Sequence, residues 1–327
     1  MGEDSRAIGE GTCTIVMYHY VRDPERSRYP GINALRRSEF EFQLEYLRRE
    51  YSLVSMADLR RALHEGESLP PDAAHLTFDD GLLDHYTTVF PMLSERGIPA
   101  SFFPPADPVL DDIVLNVHKI HFVLACVPDV ETLLESAFAR LDAYRERYDL
   151  QSNEAYYREL AEPGRWDPEE VVFVKRLLQR DLGFEVRSAI VDDLFEEHVD
   201  VTEEVLSGEL YVDPDQLGVM IDAGMYVGGH GATHRWLGTL PPSEQRAEIG
   251  ATVEFLATLG APTDGWTMCY PYGSYDRTTL EILETAGCAA GLTTEFDEAV
   301  VSPDNALTLQ RLDTTDLPRS PADRDGG

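Results

Sequence analysis

Lysine is almost absent from the 327-residue sequence, which contains only Lys119 and Lys175. Lysine and arginine together number 27, against 60 aspartate and glutamate residues, and the formal net charge is −33. A surface this acidic repels nucleic acid and anionic membranes, so we expect neither as a partner. It keeps a protein soluble where salt screens the repulsion between its charges. The composition therefore predicts a halophilic protein, with an acidic protein from an ordinary cell as the alternative.

Cysteine and long apolar runs are scarce as well. The four cysteines form no CxxC pair, which favours reduced thiols over a disulfide framework. The amino-terminal sequence MGEDSRAIGEG contains no apolar signal core and no twin arginine. No stretch reaches the roughly 20 apolar residues of a membrane helix. We therefore predict a cytoplasmic protein without a membrane span, and the sequence leaves its oligomeric state open.

Strand-like and helix-like patterns alternate on both sides of the middle of the chain. Short apolar runs predict strands at 13–18, 75–78, 100–103, 225–228, 266–270 and 289–293. Helical patterns between them predict helices at 83–96, 243–259 and 276–286. Two further helix starts have the spacing of capping boxes, Ser38 with Glu41 and Ser55 with Asp58. Strands that alternate with helices indicate a parallel α/β architecture, either a barrel or a doubly wound sheet.

The middle of the chain has a different pattern. Between residues 111 and 208 helical periodicity dominates, as in the amphipathic stretch 130–148, and it does not alternate with strands. We predict that 111–208 is a helical insertion and that 10–110 and 209–318 form one domain around it. Residues 319–327 are predicted to be a disordered tail.

Two acidic residues follow the predicted strand at 75–78. Asp79 and Asp80 precede Gly81 in the sequence TFDDG, at the end of a strand where ligands bind in parallel α/β folds. Adjacent carboxylates repel each other unless a cation or a base separates their roles. Asp-Asp-Gly is also an ordinary turn sequence, so this motif alone allows a purely structural interpretation.

The second motif is His230-Gly231-Ala232-Thr233-His234. On a helical turn this spacing places both imidazoles on one face, with Cβ atoms about 5–6 Å apart, where they can chelate one cation. A pair of structural histidines is the alternative. Together the two motifs supply one carboxylate and two imidazoles with open positions, a set that suits a catalytic zinc or another first-row divalent metal.

With the later Tyr270-Pro271-Tyr272-Gly273, these motifs resemble, in the same order, those of the polysaccharide deacetylases of the NodB-homology class, carbohydrate esterase family four. The opening MYHYV and the closing QRLDTTD are similar to a surface-polysaccharide branch of that family. The resemblance implies a distorted (β/α) barrel with the helical insertion. It also implies a metal-dependent hydrolase that removes N-acetyl groups from an amino sugar in a polysaccharide or its precursor, such as a lipid-linked or activated sugar.

The resemblance also assigns roles to individual residues. Asp79 would be the general base, and the backbone N–H of Tyr272 would stabilise the oxyanion. The cation, with zinc expected, would acidify water and polarise the acyl carbonyl. Its expected ligands are Asp80, His230 and His234. The expected substrate contacts are Tyr270, Pro271 and Tyr272.

Three positions depart from the family pattern. Cys269 stands where many members have an arginine that orients the base; Arg311 is the candidate replacement, with an unrelated ion pair as the alternative. No histidine follows His234, although many members have their general-acid histidine late in the chain. His19 is the candidate acid, because related deacetylases with a similar Tyr-His start use that position; a capping or core histidine is the alternative. Gly231 replaces the usual serine or threonine.

Two rival functions remain compatible with the resemblance. The first is deformylation, or hydrolysis of another non-peptide amide, on the same fold. The second is a non-catalytic carbohydrate-binding protein, which would be expected to have lost a metal ligand or the base. No such loss is visible in the motifs.

Overall fold

The structure is a computed structural model that describes residues 11–127, 129–162 and 168–324. The chain forms two compact units. Unit 1 comprises the chain up to Asp23, Ala34–Asp112 and the residues from Gly208 onward. Unit 2 comprises Pro24–Asn33 and Ile113–Ser207. It thus contains most of the predicted insertion, together with a short segment that the sequence placed in the surrounding domain.

Unit 1 contains the strands that the structure describes. They are β1 (Gly11–Tyr18), β2 (Ser52–Leu53), β3 (Ala73–Asp79), β4 (Ala100–Phe103), β5 (Tyr226–Val227), β6 (Trp266–Cys269), β7 (Cys288–Leu292), β8 (Ala299–Val301) and β9 (Leu312–Asp313). Every strand that the sequence predicted is present, with its ends within two residues of the predicted ones. The short strands β2, β8 and β9 were not predicted, because two or three residues show little periodic pattern; the equally short β5 was predicted from the run 225–228.

Helices connect the strands of unit 1 and form most of unit 2. They are α1 (Arg37–Glu50), α2 (Met56–His64), α3 (Phe90–Arg96), α4 (Ala106–Leu110), α5 (Asn116–Cys126), α6 (Val130–Tyr148), α7 (Asn153–Leu160), α8 (Glu169–Arg176), α9 (Phe184–His198), α10 (Glu203–Leu210), α11 (Pro214–Asp222), α12 (Pro242–Thr258) and α13 (Arg277–Thr285). A π-helical turn, His85–Val89, leads directly into α3. The predicted helix 83–96 is therefore two segments of different hydrogen-bond pattern.

The strands of unit 1 close into a distorted parallel barrel. Parallel pairing connects β9, β1, β3, β4 and β5 in that order, and β6 pairs parallel with β7. Two single parallel bridges complete the ring: Gly229 with Met268 after β5, and Leu292 with Leu309 before β9. The predicted α/β fold, a distorted (β/α) barrel, is confirmed, and the doubly wound alternative is wrong because these bridges join the two edges.

The barrel core holds the strand ends in register. All seven residues of β3 are buried, as expected for a parallel strand that is covered on both faces. One aromatic ring from each of three adjacent strands contributes to a stack: Tyr18 and Phe78 lie 5.0 Å apart between centroids, and Phe78 and Phe102 lie 4.9 Å apart. Tyr18 and Phe78 directly precede His19 and Asp79, so this layer supports the residues from which the site is built.

One predicted helix start is wrong and another is confirmed. Helix α1 begins at Arg37, one residue before Ser38, because the N-cap is Arg36, whose N–H donates to the Glu39 carboxylate at 2.8 Å. Helix α2 begins as predicted: Ser55 and Asp58 exchange hydrogen bonds of 2.8 and 3.2 Å between side chain and backbone.

The described part of unit 2 consists of helices and the loops that connect them, with no strand. Its most buried charge is Lys119 on α5, whose ammonium lies 2.6 Å from Asp192 and 2.8 Å from Glu203. The segment Pro24–Asn33 joins this unit because Tyr29 packs edge-on against Phe122, with ring centroids 4.7 Å apart.

Two further observations concern the sequence predictions about the chain as a whole. In the part of the chain that the structure describes, no helix is long and apolar enough to cross a membrane. Within the predicted tail, Pro321–Arg324 form a 3-10 helix, and Asp323 accepts the N–H groups of Arg319 and Ser320. The last three residues of that tail, 325–327, lie outside the described residues.

The close approach between β4 and β6 at Gly228 gives a stability prediction. A Cβ atom there would lie 2.5 Å from the Phe103 ring and 2.7 Å from the Thr267 carbonyl oxygen. We expect Gly228→Ala to lower the free energy of unfolding by about 1–3 kcal/mol in urea denaturation. The control is Gly250→Ala on exposed α12, where no atom is within 4 Å and a gain of about 0.5–1 kcal/mol is expected. Equal effects at both positions would contradict the close packing.

Candidate active site

The first part of the site is a buried ion pair between Asp79 and Arg311. Asp79 is the last residue of β3, and Arg311 directly precedes β9; each is 1% exposed. The guanidinium donates to both carboxylate oxygens, from Nη1 to Oδ1 at 2.9 Å and from Nη2 to Oδ2 at 2.8 Å. The structure therefore brings the two residues together in the bidentate geometry that fixes a carboxylate most firmly.

The remaining donors of Arg311 are also bonded. Its Nε donates to the Thr293 carbonyl at 2.8 Å, and Nη1 also donates to the Thr77 hydroxyl at 3.1 Å. That hydroxyl in turn donates to the carbonyl of Val16 on β1, at 2.8 Å. Hydrogen bonds to the ends of β3 and β7 thus hold the guanidinium in one orientation.

These contacts determine the charge of Asp79. Burial by itself raises the pKa of Asp79, but the Arg311 guanidinium lowers it, and the net result is a pKa of about 2. The positive charges of His230 and His19 act in the same direction. The Cys269 thiol, whose pKa is raised by burial and which therefore stays protonated, donates to Oδ2 at 3.3 Å. Asp79 is consequently an ionised, oriented carboxylate at every pH near neutrality.

The second part of the site is a cluster of Asp80, His230 and His234. The Nε2 atoms of both histidines lie 3.3 Å from Oδ1 of Asp80, and the two imidazole centroids are 4.8 Å apart. All three residues are buried, with exposed fractions of 4%, 2% and 8% respectively. The structure therefore brings the three predicted metal ligands together in one group.

The backbone of this cluster is not the helical turn that the sequence predicted. His230–His234 is a loop, in which Gly231 has φ +75° and His234 has φ +55°. These left-handed positions reverse the chain and bring the second imidazole back toward the first. The helical interpretation was wrong because residue spacing alone does not distinguish a turn of helix from a loop with the same end-to-end distance.

A divalent cation fits the donor set of this cluster. The Nδ1–H of His230 donates to the Cys269 carbonyl at 2.8 Å, so in the neutral ring the Nε2 lone pair faces Asp80. A lone pair and a carboxylate oxygen repel each other unless a proton or a cation lies between them. Ligands about 2.0–2.1 Å from a tetrahedral zinc lie roughly 3.3–3.4 Å apart, close to the 3.3 Å found here.

The pKa of His230 reflects the same surroundings. Burial by itself lowers the pKa of His230. The neighbouring Cys269 and Asp80, which hydrogen-bond to the imidazole, raise it well above its usual range. An environment that favours a proton at Nε2 also favours a metal ion, because both are positive charges that compete for one lone pair.

His19 directly follows β1, and β1 is the strand that pairs with β3. It is half-buried, and its positive charge contributes to the lowered pKa of Asp79. Its backbone carbonyl accepts the Nε2–H of buried His85, at 3.0 Å. The predicted acid therefore lies on the same side of the barrel as Asp79.

The residues of the third motif have different environments. Tyr270 is fully buried, and its hydroxyl donates to the Leu307 carbonyl at 2.8 Å, so its side chain belongs to the hydrophobic core. Pro271 is also buried. Tyr272 is half-buried, with φ +57°, and its ring lies between those of His234 and Trp236, at centroid distances of 4.7 and 4.4 Å. The substrate contacts of Tyr270, Pro271 and Tyr272 stay predictions.

The sequence reasoning missed Glu248 on α12. This buried carboxylate accepts hydrogen bonds from the backbone of Ala232 and Thr233, within the loop that carries the two histidines. A signal was present: the positions three, four and seven residues from Glu248, namely Gln245, Thr252 and Phe255, all face the core. A glutamate on such a buried face requires a specific partner.

The comparisons with known proteins agree with this geometry. The family described as polysaccharide deacetylase matches residues 181–291. A stretch of 90 residues is 37% identical to the poly-beta-1,6-N-acetyl-D-glucosamine N-deacetylase of Escherichia coli (strain K12); it covers 27% of this chain and only 13% of that protein.

Similar solved structures extend the likeness to nearly the whole chain. The deacetylase PplD of Streptococcus pyogenes, in complex with acetate, has a TM-score of 0.55 and 19% identity, and the match covers 93% of this chain and 92% of that one. IcaB from Ammonifex degensii has a TM-score of 0.53 and 21% identity, covering 92% and 91%. At these identities the two structures show a shared fold. The match to the polysaccharide deacetylase family thus covers residues 181–291, and the likeness of the rest of the chain to these two structures is one of fold.

The buried ion pair gives a prediction about stability and pH. Arg311→Met leaves Asp79 buried without its cation, and we expect a loss of about 3–5 kcal/mol at pH 7. In the wild type the pKa of Asp79 is about 2, below its unfolded value of roughly 3.9. Ionised Asp79 therefore stabilises the fold above about pH 4, and this stabilisation is lost as the pH falls toward 2. In the variant this pKa rises above the unfolded value. The variant's loss of unfolding free energy relative to the wild type therefore becomes smaller as acid protonates Asp79.

Urea denaturation at pH 7 and pH 4.5 measures this difference. The matched control is Arg277→Met, because Arg277 pairs with Glu281 while its side chain is 92% exposed, and a change below about 0.5 kcal/mol is expected. A loss in Arg311→Met that is equally large at both pH values would contradict the assigned charge of Asp79.

Proposed function

We propose that this protein is a metal-dependent hydrolase that removes N-acetyl groups from an amino sugar in a polysaccharide or its precursor. The observation that carries the proposal is the position of the Asp79–Arg311 pair directly beside the Asp80, His230 and His234 cluster. An ionised base next to a cation site is the arrangement that amide hydrolysis requires. The name of the Escherichia coli relative, which acts on poly-beta-1,6-N-acetyl-D-glucosamine, supports an N-acetylated sugar as substrate.

The proposed cofactor is zinc, held by Asp80, His230 and His234. One carboxylate oxygen and two imidazole nitrogens are ligands that zinc favours, and three protein ligands leave room for water or substrate. When bound, the cation would acidify water and polarise the acyl carbonyl of the substrate.

The residues of the chain itself would perform the proton transfers. Asp79, ionised and held by Arg311, would accept the proton of the attacking water. The backbone N–H of Tyr272 would stabilise the negative charge on the former carbonyl oxygen. His19 would protonate the leaving nitrogen, so that the C–N bond breaks and the products are acetate and a free amine.

The net charge of −33 supports two further proposals about the setting of this reaction. We propose that the protein works in the cytoplasm of a salt-adapted cell, where salt screens its acidic surface. There it would meet lipid-linked or activated sugars, which are precursors of a polysaccharide. Its assays therefore belong in concentrated KCl as well as in dilute buffer.

The first test separates the base from the metal ligands. Asp79→Asn removes the proton acceptor, and we expect acetate release to fall about 10²–10⁴-fold while bound metal stays unchanged. His234→Ala is expected to lose both activity and metal. The measurements are acetate release from N-acetylated oligosaccharides and metal content by mass spectrometry. Asp215→Asn, at an exposed position in the first turn of α11, is the control.

The rival functions give different results in the same experiment. Formate release from N-formyl substrates, without acetate from N-acetyl ones, would identify a deformylase. A wild type that contains no stoichiometric metal and shows no turnover, so that Asp79→Asn changes nothing, would identify a non-catalytic carbohydrate-binding protein.

The second test concerns the general acid. We expect His19→Ala to lower kcat about 10²-fold or more, because departure of the amine requires a proton donor. Metal content is expected to stay unchanged. His64→Ala is the control, since His64 is exposed and donates a hydrogen bond to the Ala289 carbonyl at 2.8 Å. Full activity of His19→Ala would assign the acid to another group.

A further inference from the structure

Glu248 on α12 contacts the loop between the two histidines. It is 7% exposed, and its Oε2 atom accepts the backbone N–H groups of Ala232 and Thr233, each at 3.0 Å. Its Oε1 atom accepts the Thr233 hydroxyl at 2.5 Å. One buried carboxylate therefore satisfies three donors from two consecutive residues, and these are the residues that directly precede His234.

The opposite side of the same loop is held by the backbone of α4. The N–H of Ala106 donates to the Gly231 carbonyl at 3.1 Å, and the N–H of Asp107 donates to the Ala232 carbonyl at 3.0 Å. The loop thus has its carbonyl groups fixed by α4 and its N–H groups fixed by Glu248. Without either set, buried backbone groups would lose their partners.

The loop requires such support because its conformation is unfavourable in isolation. His234 has φ +55°, and this left-handed conformation costs roughly 1–2 kcal/mol for a residue with a side chain. Relaxation of His234 toward an ordinary φ would move its imidazole away from Asp80. Glu248 holds the two residues just before His234 and so opposes that relaxation.

We propose that Glu248 is a positioning residue that sets the distance between His230 and His234 and thereby the affinity of the cation site. The inference rests on the metal site of the proposed function and deepens it. Glu248 acts through Ala232 and Thr233, the residues to which its hydrogen bonds run. Groups that orient metal ligands in this way typically contribute a factor of about 10–100 in metal affinity.

Metal affinity tests the proposal. The dissociation constant for Co²⁺ or Zn²⁺ is measured by competition with a chromophoric chelator, and thermal unfolding of each metal-free variant is recorded in parallel. We expect Glu248→Ala to weaken binding about 10–100-fold. Thr233→Val, which removes only the hydroxyl donor, is expected to weaken it less.

Conservative substitution provides the second comparison. In Glu248→Gln, the amide oxygen can accept both backbone N–H groups and the amide nitrogen can donate to the Thr233 hydroxyl oxygen. We therefore expect an affinity within about threefold of the wild type. Glu254→Ala, an exposed charge removal on the same helix, is the control and is expected to leave the affinity unchanged.

Each outcome decides the question. Glu248→Ala removes the hydrogen bonds, whereas Glu248→Gln keeps them. Wild-type metal affinity in Glu248→Ala, or an equal loss of affinity in both variants, would therefore overturn the proposal. If Glu248→Ala does not fold, wild-type affinity in Thr233→Val overturns it instead. A wild type that binds metal with the expected ranking of variants but releases no acetate would refute the proposed function and leave this inference standing.

Discussion

The ion pair between Asp79 and Arg311 is the interaction on which the rest of the site depends. Burying two charges costs several kcal/mol per ion, and this cost is offset only where the geometry is good and further hydrogen bonds satisfy the remaining donors. Here Asp79 takes two bonds from the guanidinium, and Thr77 and Thr293 take others. Asp79 ends β3 and Arg311 precedes β9, and both strands pair with β1, so the strand order of the barrel brings the two charges together.

The same pair separates the roles of two adjacent carboxylates. Asp79 continues the extended strand and meets Arg311, whereas Asp80 has φ +75° and turns toward the histidines. Aspartate adopts the left-handed region at a lower energetic cost than most residues, so the backbone can reverse direction at Asp80 with little strain. Each carboxylate then faces its own positive partner, a guanidinium for Asp79 and the proposed cation for Asp80. This geometry reduces the repulsion between the two neighbouring carboxylates.

Much of this arrangement could be predicted from the sequence, and the remainder has identifiable physical reasons. Strands of four or more residues show a pattern, and polar motifs at their ends mark the site. The shape of the His230–His234 loop was not predictable, because left-handed φ values at His234 depend on contacts that spacing does not reveal. Glu248 was missed for a related reason. Its partners lie 15 and 16 residues earlier in the chain, and only the packing of α12 brings them together.

Cys269 stands where the resemblance to the deacetylase motifs leads one to expect an arginine that contacts Asp79. In this chain the position makes two contacts of different kinds: its carbonyl accepts the Nδ1–H of His230, and its thiol donates to Asp79. The carbonyl contact is available to any residue type, so a substitution there leaves the orientation of His230 intact. The guanidinium comes instead from Arg311, which precedes β9 on the other side of β1, and reaches Asp79 in bidentate geometry. The absence of a motif arginine is thus compatible with a complete site, because the barrel brings a different strand end to the same carboxylate.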